Sequence, residues 1–204
     1  RYAVAVINAS SKYVVATDQN ASDTFENADN PATMSATALS SGADGTALTT
    51  ANLVSGLSGL DTVSNAVIIN VPGVTGATDV NNIISYAAAR NDAFVVIDGV
   101  NDTVANQLTL AATYTASPTA AVYYPNLTIP SPTSSLPGVT VTAYNGGAVV
   151  GKIVSNDASR GVFKAPAGIE ARLSGVVSVP VLTNANLDSL NSAAYPVNAI
   201  RYVP

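Results

Sequence analysis

The sequence predicts an α/β fold, a mixed sheet with a parallel βαβ core flanked by helices, plus an N-terminal β-hairpin. Three observations carry that expectation. The runs Ala66–Ile69, Ala93–Ile97 and Ala120–Tyr124 are short and apolar throughout, as strands buried on both faces are. Segments of helical periodicity separate them, and strand–helix–strand alternation favours parallel pairing with right-handed crossovers. At the N-terminus, Tyr2–Ile7 and Tyr13–Thr17 are rich in valine and flank the polar stretch Asn8–Lys12, a hairpin pattern.

Each element has its own justification. After the hairpin, residues 18–45 are polar, with Asn30-Pro31 and Gly42-Ala-Asp-Gly45 as turn signals and room for one edge strand over Pro31–Leu39. Leu53, Val54 and Leu57 then recur at helical spacing behind a Thr49 or Thr50 cap. A second helix places Val80, Ile83, Ile84 and Ala87 on one face. Thr78 is its candidate cap, and Asp79 and Arg90 at its two ends suit the helix dipole. Val104, Leu108, Ala111 and Ala112 mark a third. Pro125, Pro130, Pro132 and Pro137 make the following stretch extended or turning, and Val139–Tyr144 reads as a strand candidate. Ala148–Ser155 is a short helical candidate, Asn156–Gly168 a loop, and Ser174–Val179 a weak strand. Leu187, Leu190 and Ala194, capped by Thr183, mark a last helix before a closing strand over Val197–Val203.

Composition excludes several kinds of chemistry. The 204 residues contain no Cys and no His, so thiol nucleophiles, zinc fingers, Ser-His-Asp triads and histidine metal sites are ruled out. Net charge is −5, and the eight basic residues are spread from Arg1 to Arg201. Nucleic acid and anionic membranes are therefore poor partners, and no apolar run reaches the roughly 18 residues of a membrane helix. Charged residues make up 10 % of the chain, against about 25 % in an ordinary domain. A surface of Ser, Thr, Asn, Ala and Tyr is one that binds something or is covered in an assembly. The opening on Arg1, inside strand-like sequence, reads as a piece of a longer protein.

Candidate chemistry is sparse. Gly146-Gly-Ala-Val-Val-Gly151-Lys152 has phosphate-loop spacing, but Ile153 stands where Ser or Thr ligates the metal. The alternative is a small-residue helix on the sheet. Asp98, Asn101 and Asp102 lie at a strand's carboxyl end, where open α/β sheets take ligands, and the two aspartates could hold a hard cation. Capping of a turn before Gly99 and of the next helix is the favoured reading, because it explains these residues without a ligand. Ser58, in Gly56-Leu-Ser-Gly59, lacks both elbow spacing and a histidine. Tyr123, Tyr124 and Tyr144 are candidates for stacking on sugars, or for core edges.

The specific stretch is Asn156-Asp157-Ala158-Ser159-Arg160-Gly161-Val162-Phe163-Lys164-Ala165-Pro166-Ala167-Gly168. It resembles the signature of contractile tail sheath proteins of bacteriophages, a small-residue helix leading into D-x-x-R-G-[VW]-W/F-K-A-P-A. Other matches keep the family's order: Gly42-Ala-Asp-Gly45 before a helix, Val71-Pro72-Gly73, Tyr86-Ala-Ala-Ala-Arg90 with Asp92–Asp98, Ala121-Val-Tyr123-Tyr124-Pro125, and Val197-Asn198-Ala199-Ile200-Arg201. Phe163 replaces the commoner Trp, and Ala199 stands where Pro is frequent. From the residues alone, Asp157 and Arg160 are spaced to pair, Asp157 can cap loop N–H groups, Gly161 permits a bend, Phe163 is expected as a buried anchor, and Pro166 stiffens the exit.

The resemblance implies two segments. Residues 1–41 are of uncertain affiliation, and 42–204 form a tail-sheath α/β domain that stops before the family's C-terminal core. It implies a structural subunit, not an enzyme, with no cofactor and no metal. Asp157, Arg160, Gly161, Phe163, Lys164, Pro166 and Ala167 are its motif residues. The implied partners are other copies in hexameric rings stacked as a helical sheath, the tail tube protein and the baseplate. The implied location is the virion's tail, after synthesis in the host cytoplasm, and this piece alone is expected to be a monomer. Two alternatives remain from the residues: a carbohydrate-binding adhesin module using the tyrosines, and a metal-dependent hydrolase using Asp98 and Asp102.

Overall fold

The computed structural model describes residues 2–18 and 45–203. The edge strand expected over Pro31–Leu39 and most of the Gly42–Gly45 turn lie outside the described residues. The chain divides into two compact units, Arg1–Thr46 and Ala47–Pro204.

In the first unit the expected β-hairpin is overturned. Helix α1 (Tyr2–Ser10) occupies its first arm. The sequence YAVAVINAS alternates small and branched residues, which mimics a strand. It also contains three alanines and no glycine or proline, so its helix propensity is adequate. The chain does turn back after it. Ser11 Oγ accepts from the backbone N–H of Val14 at 2.9 Å. The Asn8 amide brackets Ala16, donating to its carbonyl at 2.7 Å and accepting from its N–H at 2.6 Å. One side chain thus replaces the ladder of the missing hairpin.

The second unit holds the predicted sheet. Strands β1 (Val67–Ile69), β2 (Ala93–Asp98), β3 (Ala120–Tyr124) and β6 (Asn198–Ala199) lie in the order β1-β2-β3-β6, all parallel. The closing strand is shorter than expected, because beyond Ala199 only Ile200 N–H reaches β3, at the Tyr124 carbonyl. Helices α3 (Ala77–Arg90), α4 (Val104–Ala111) and α6 (Asn184–Ser192) fall between successive strands. Because the order runs one way across the sheet and crossovers are right-handed, these helices share one face. The core confirms it: Val80, Ile83, Ile84 and Ala87 of α3, Ala111 of α4 and Leu190 of α6 pack with Ile69, Val95, Ile97, Val122 and Tyr124. Helix α2 (Thr50–Ser55) and the 3-10 turn Gly56–Thr62 add Val54, Leu57 and Leu60.

Local signals explain the boundaries. Thr49 and Thr183 both form capping boxes, with Asn52 and Asn186, and Thr103 accepts from Asn106 N–H. Thr78 is not a cap. Helix α3 begins at Ala77 behind Gly76, placing Thr78 inside the first turn. Arg90, at the end of α3, pairs with Asp92 at 2.7 Å and donates to the carbonyls of Leu60, Val63 and Asn65. That one guanidinium ties α3 to the segment leading into β1.

The expected proline-rich extended stretch contains β4 (Leu127–Pro130), entered by a cis Tyr124–Pro125 bond and paired antiparallel with β5 (Thr140–Ala143). Ser174–Val179 forms a single bridge, Thr128 to Ser178, rather than a strand. Helix α5 is longer than the sequence suggests, Gly146–Arg160 instead of Ala148–Ser155.

Burial pushes the Tyr114 hydroxyl up to about 12, and it donates to Thr75 carbonyl at 2.6 Å. An acid whose pKa is raised on folding is disfavoured as the ion in the fold. The stability it contributes is fully present below pH of about 10 and is lost as pH rises toward 12. In a tyrosinate absorbance titration Tyr114→Phe should remove one of the late-titrating groups, leaving Tyr86, Tyr123 and Tyr124, which are also raised.

Candidate functional site

The carboxyl edge of the sheet is where an open α/β fold takes a ligand. Here the start of α5 fills it. Asp98, at the end of β2 and 1 % exposed, accepts from Gly146 N–H at 2.6 Å and from Gly73 N–H at 3.0 Å. The carboxylate sits on the positive end of α5, the favourable sign for a helix N-terminus. Asn145 donates to the carbonyls of Tyr123 and Pro125 at 2.7 and 3.0 Å, and Asn70 donates to Val96 carbonyl at 2.9 Å. A Cβ at Gly146 would fall 2.1 Å from Asn70 Nδ2 and 2.5 Å from Asp98 Oδ1. Glycine is there to let the helix start touch the strand ends. Sequence reading missed this role, although Asn145-Gly146-Gly147 at the head of a helical stretch is its visible trace.

The other candidates separate. Asp98 does not cap a turn before Gly99; it joins two distant backbone N–H groups. The Asp102 carboxylate accepts from Thr103 N–H at 2.6 Å and Asn106 Nδ2 at 2.8 Å, bonds that hold its pKa below the usual carboxylate value. Among the described residues, no three acidic side chains are placed to share a metal. The glycines of the phosphate-loop spacing are helical, and the first N–H is taken by Asp98. Ser58 Oγ is spent on Ser55 carbonyl. Tyr124 is 4 % exposed, with its hydroxyl on Asp102 carbonyl, whereas Tyr123 faces the opposite side of the sheet and Tyr144 lies against Gly73. The three form no sugar platform.

The motif Asn156–Gly168 opens in a helix and continues as a loop. Residues Asn156–Arg160 complete α5, and Gly161, at φ +90°, ends it. Buried Asn156 donates to Lys164 carbonyl at 2.6 Å and folds the loop back on the helix. Asp157 and Arg160 do not pair. Arg160 reaches Glu170 instead, at 2.6 Å, with both side chains more than half exposed, so the pair contributes little. Phe163 is not a buried anchor. It is 89 % exposed, and Val162 85 %. With no Cβ on Gly161, the Phe163 ring lies over its backbone, which covers one edge of the ring only. Phe163→Ala should therefore change the unfolding free energy by less than about 0.5 kcal/mol, read by urea denaturation. A large loss would restore the anchor reading.

One further feature surrounds the motif. Within the second unit, α5 lies on the sheet face opposite α3, α4 and α6. Beside α5 lies an open groove of about 720 Å³. Ile68, Phe94 and Tyr123 form its floor, and Val150, Val154 and Val162 its wall, with Asp157, Lys164 and Pro166 at the motif end.

No family model matches the chain, and no curated protein does. A solved structure does: a chain of the PVC sheath complex of an extracellular contractile injection system, in its contracted state. The fold is similar to that of a contractile sheath subunit. The TM-score is 0.60 at 24 % identity over 74 % of this chain. The chain spans 40 % of that neighbour's length. The α/β architecture with its parallel sheet thus has a counterpart in a sheath, as the motif resemblance implied.

Proposed function

We propose that this chain is the α/β part of a contractile sheath subunit. It is a structural protein that associates with copies of itself around a tail tube and contracts to drive that tube through a cell envelope. The single observation that supports this most is the fold likeness to a sheath chain over 74 % of the residues. The ordered motif matches from Val71 to Arg201 point the same way. The plugged carboxyl edge is what a structural part needs and what a ligand-binding α/β domain lacks. On this reading the work is mechanical: subunits move as near-rigid bodies between two packings. Hexameric rings, the tube and baseplate as partners, and a place in a phage tail belong to this proposal.

The test is negative-stain electron microscopy of the full-length protein. Hollow tubes with six-fold end views are the expected result. A protein that stays dispersed at high concentration would overturn the reading.

A further inference from the structure

Asn145 is followed by glycine, and this is the one Asn-Gly pair in the chain. Such a pair carries a reaction of its own. The backbone nitrogen of the glycine can attack the asparagine Cγ and close a cyclic imide, and a residue without Cβ leaves that approach unhindered. The N–Cγ bond forms, the Cγ–Nδ2 bond breaks, and the side-chain nitrogen leaves as ammonia with the proton of the glycine N–H. Water then opens the imide at either carbonyl, giving aspartate or its isoaspartyl isomer. Water is the sole co-reactant. At the start of α5 every requirement of this reaction is withheld. The imide ring needs the Asn145 Cβ and the Gly146 nitrogen to eclipse about the Cα–C bond. Asn145 has ψ −22°, a helical value that holds them well apart, so the reacting atoms are not aligned for attack. The Gly146 N–H is committed to the Asp98 carboxylate at 2.6 Å. The Asn145 Nδ2, which must leave, is held on the carbonyls of Tyr123 and Pro125 at 2.7 and 3.0 Å. Asn145 Oδ1 is buried with no donor among the described residues, so nothing stabilises the negative charge that attack on Cγ would place there. The residue is 0 % exposed, which keeps out the water of the second step.

We propose that Asn145 is a latent deamidation site, silent while the start of α5 is seated on the strand ends and armed when that start lifts by local opening. All the restraints depend on the seating: the helical ψ, the Asp98 bond, the two carbonyls on Nδ2 and the exclusion of water. Local openings of this kind occur below the cost of global unfolding. The product cannot return to the seat. An aspartate at 145 replaces the two N–H donors with oxygens that face the carbonyls of Tyr123 and Pro125. It also adds a second negative charge one residue from the nitrogen that Asp98 holds, and like charges sharing a site oppose each other. The isoaspartyl form lengthens the backbone immediately ahead of α5. A transient opening thereby becomes a permanent one, and the seat of α5 is a one-way joint. This goes beyond the sheath reading and does not depend on it.

The full-length protein, incubated in mildly alkaline buffer, is followed by peptide mass spectrometry for the amide-to-carboxyl mass gain at Asn145. Unfolded in urea, Asn145 should convert before the other asparagines of residues 1–204. Folded, it should convert at least about a hundredfold more slowly. Asp98→Ala, verified as folded by circular dichroism, should raise the folded rate at least about tenfold. A measurement on the unsubstituted protein decides the matter if that variant does not fold. Below the urea midpoint, the Asn145 rate should exceed what the globally unfolded fraction allows and should depend only weakly on urea, because a local opening exposes little surface. Equal rates in the folded and unfolded protein would overturn the proposal. So would a folded Asp98→Ala protein with an unchanged rate, or a rate that tracks the globally unfolded fraction alone. Asn145→Asp carries one product directly and should lower the urea midpoint, whereas an unchanged midpoint would overturn the one-way joint.

Discussion

Asp98→Ala is expected to lower the unfolding free energy by about 4 kcal/mol. The side chain is 1 % exposed and accepts two backbone N–H groups, from Gly146 and Gly73. A hydrogen bond to a charged acceptor contributes about 1.5–3 kcal/mol, and an N–H left buried without a partner carries its own desolvation penalty. The favourable charge at the start of α5 is lost as well, worth a further 0.3–1 kcal/mol or so. The relief from no longer burying a carboxylate offsets part of this. Asp98→Asn is the sharper variant. It keeps the shape and one acceptor oxygen, but turns an NH2 toward one of the two donors, so it should recover less than half of the loss. Urea denaturation reads both, and an unchanged slope would show that the same surface is exposed on unfolding. A loss below about 1 kcal/mol for alanine would mean that the start of α5 is held by Asn145 instead. The metal-dependent alternative predicts something different, a melting temperature that rises with millimolar Mg²⁺ or Ca²⁺ in the unsubstituted protein.

Much of this architecture was legible because its signals are local. The runs at Val67–Ile69, Ala93–Asp98 and Ala120–Tyr124 could be read as strands from apolar content alone. The direction of their pairing followed from the helices between them. Thr49, Thr103 and Thr183 announce helix starts through a side chain that bonds three residues on. The failures have a common cause, competition between local patterns or dependence on distant residues. In Tyr2–Ser10 the alternation of Val4 and Val6 fits a strand, while the alanines fit a helix, and no tertiary signal in the sequence decides between them. The sequence places Asn156–Arg160 in a loop, whereas the structure has it in α5. The helix continues through it since Ser159 returns its hydroxyl to Ser155 carbonyl, and the break waits for Gly161. The sequence also suggests a buried anchor at Phe163, which is 89 % exposed. Its exposure depends on where α5 ends relative to the sheet, which no spacing encodes. The candidate site was least legible of all. Asp98, Asn145 and Gly146 meet across 48 residues of sequence, and nothing near Asp98 says that its partner is a helix start rather than a ligand.

Gly146→Ala isolates that meeting point, and two effects of opposite sign compete in it. Alanine is favoured over glycine in a helix by about 1 kcal/mol, so a substitution in α5 would ordinarily stabilise. At this position the new methyl would lie 2.1 Å from Asn70 Nδ2 and 2.5 Å from Asp98 Oδ1, distances no Cβ tolerates. Neither neighbour is a free side-chain end, because Asn70 is bonded to Val96 carbonyl and Asp98 to Gly73 N–H. Relief then requires α5 to back away from the strands, which lengthens the 2.6 Å bond from Gly146 to Asp98. Overpacking typically costs 1–3 kcal/mol, and the weakened bond adds to it, so a net loss of about 3 kcal/mol is expected. Gly151→Ala is the matched control. It lies in the same helix, is exposed, and has nothing within 4 Å of the added carbon. There the propensity term acts alone and should raise stability by about 0.5–1 kcal/mol. Opposite signs for two identical substitutions five residues apart would establish that α5 is seated on the strand ends by contact. Equal signs would mean that the helix start is not packed there, and that the carboxyl edge of the sheet is open to a ligand after all.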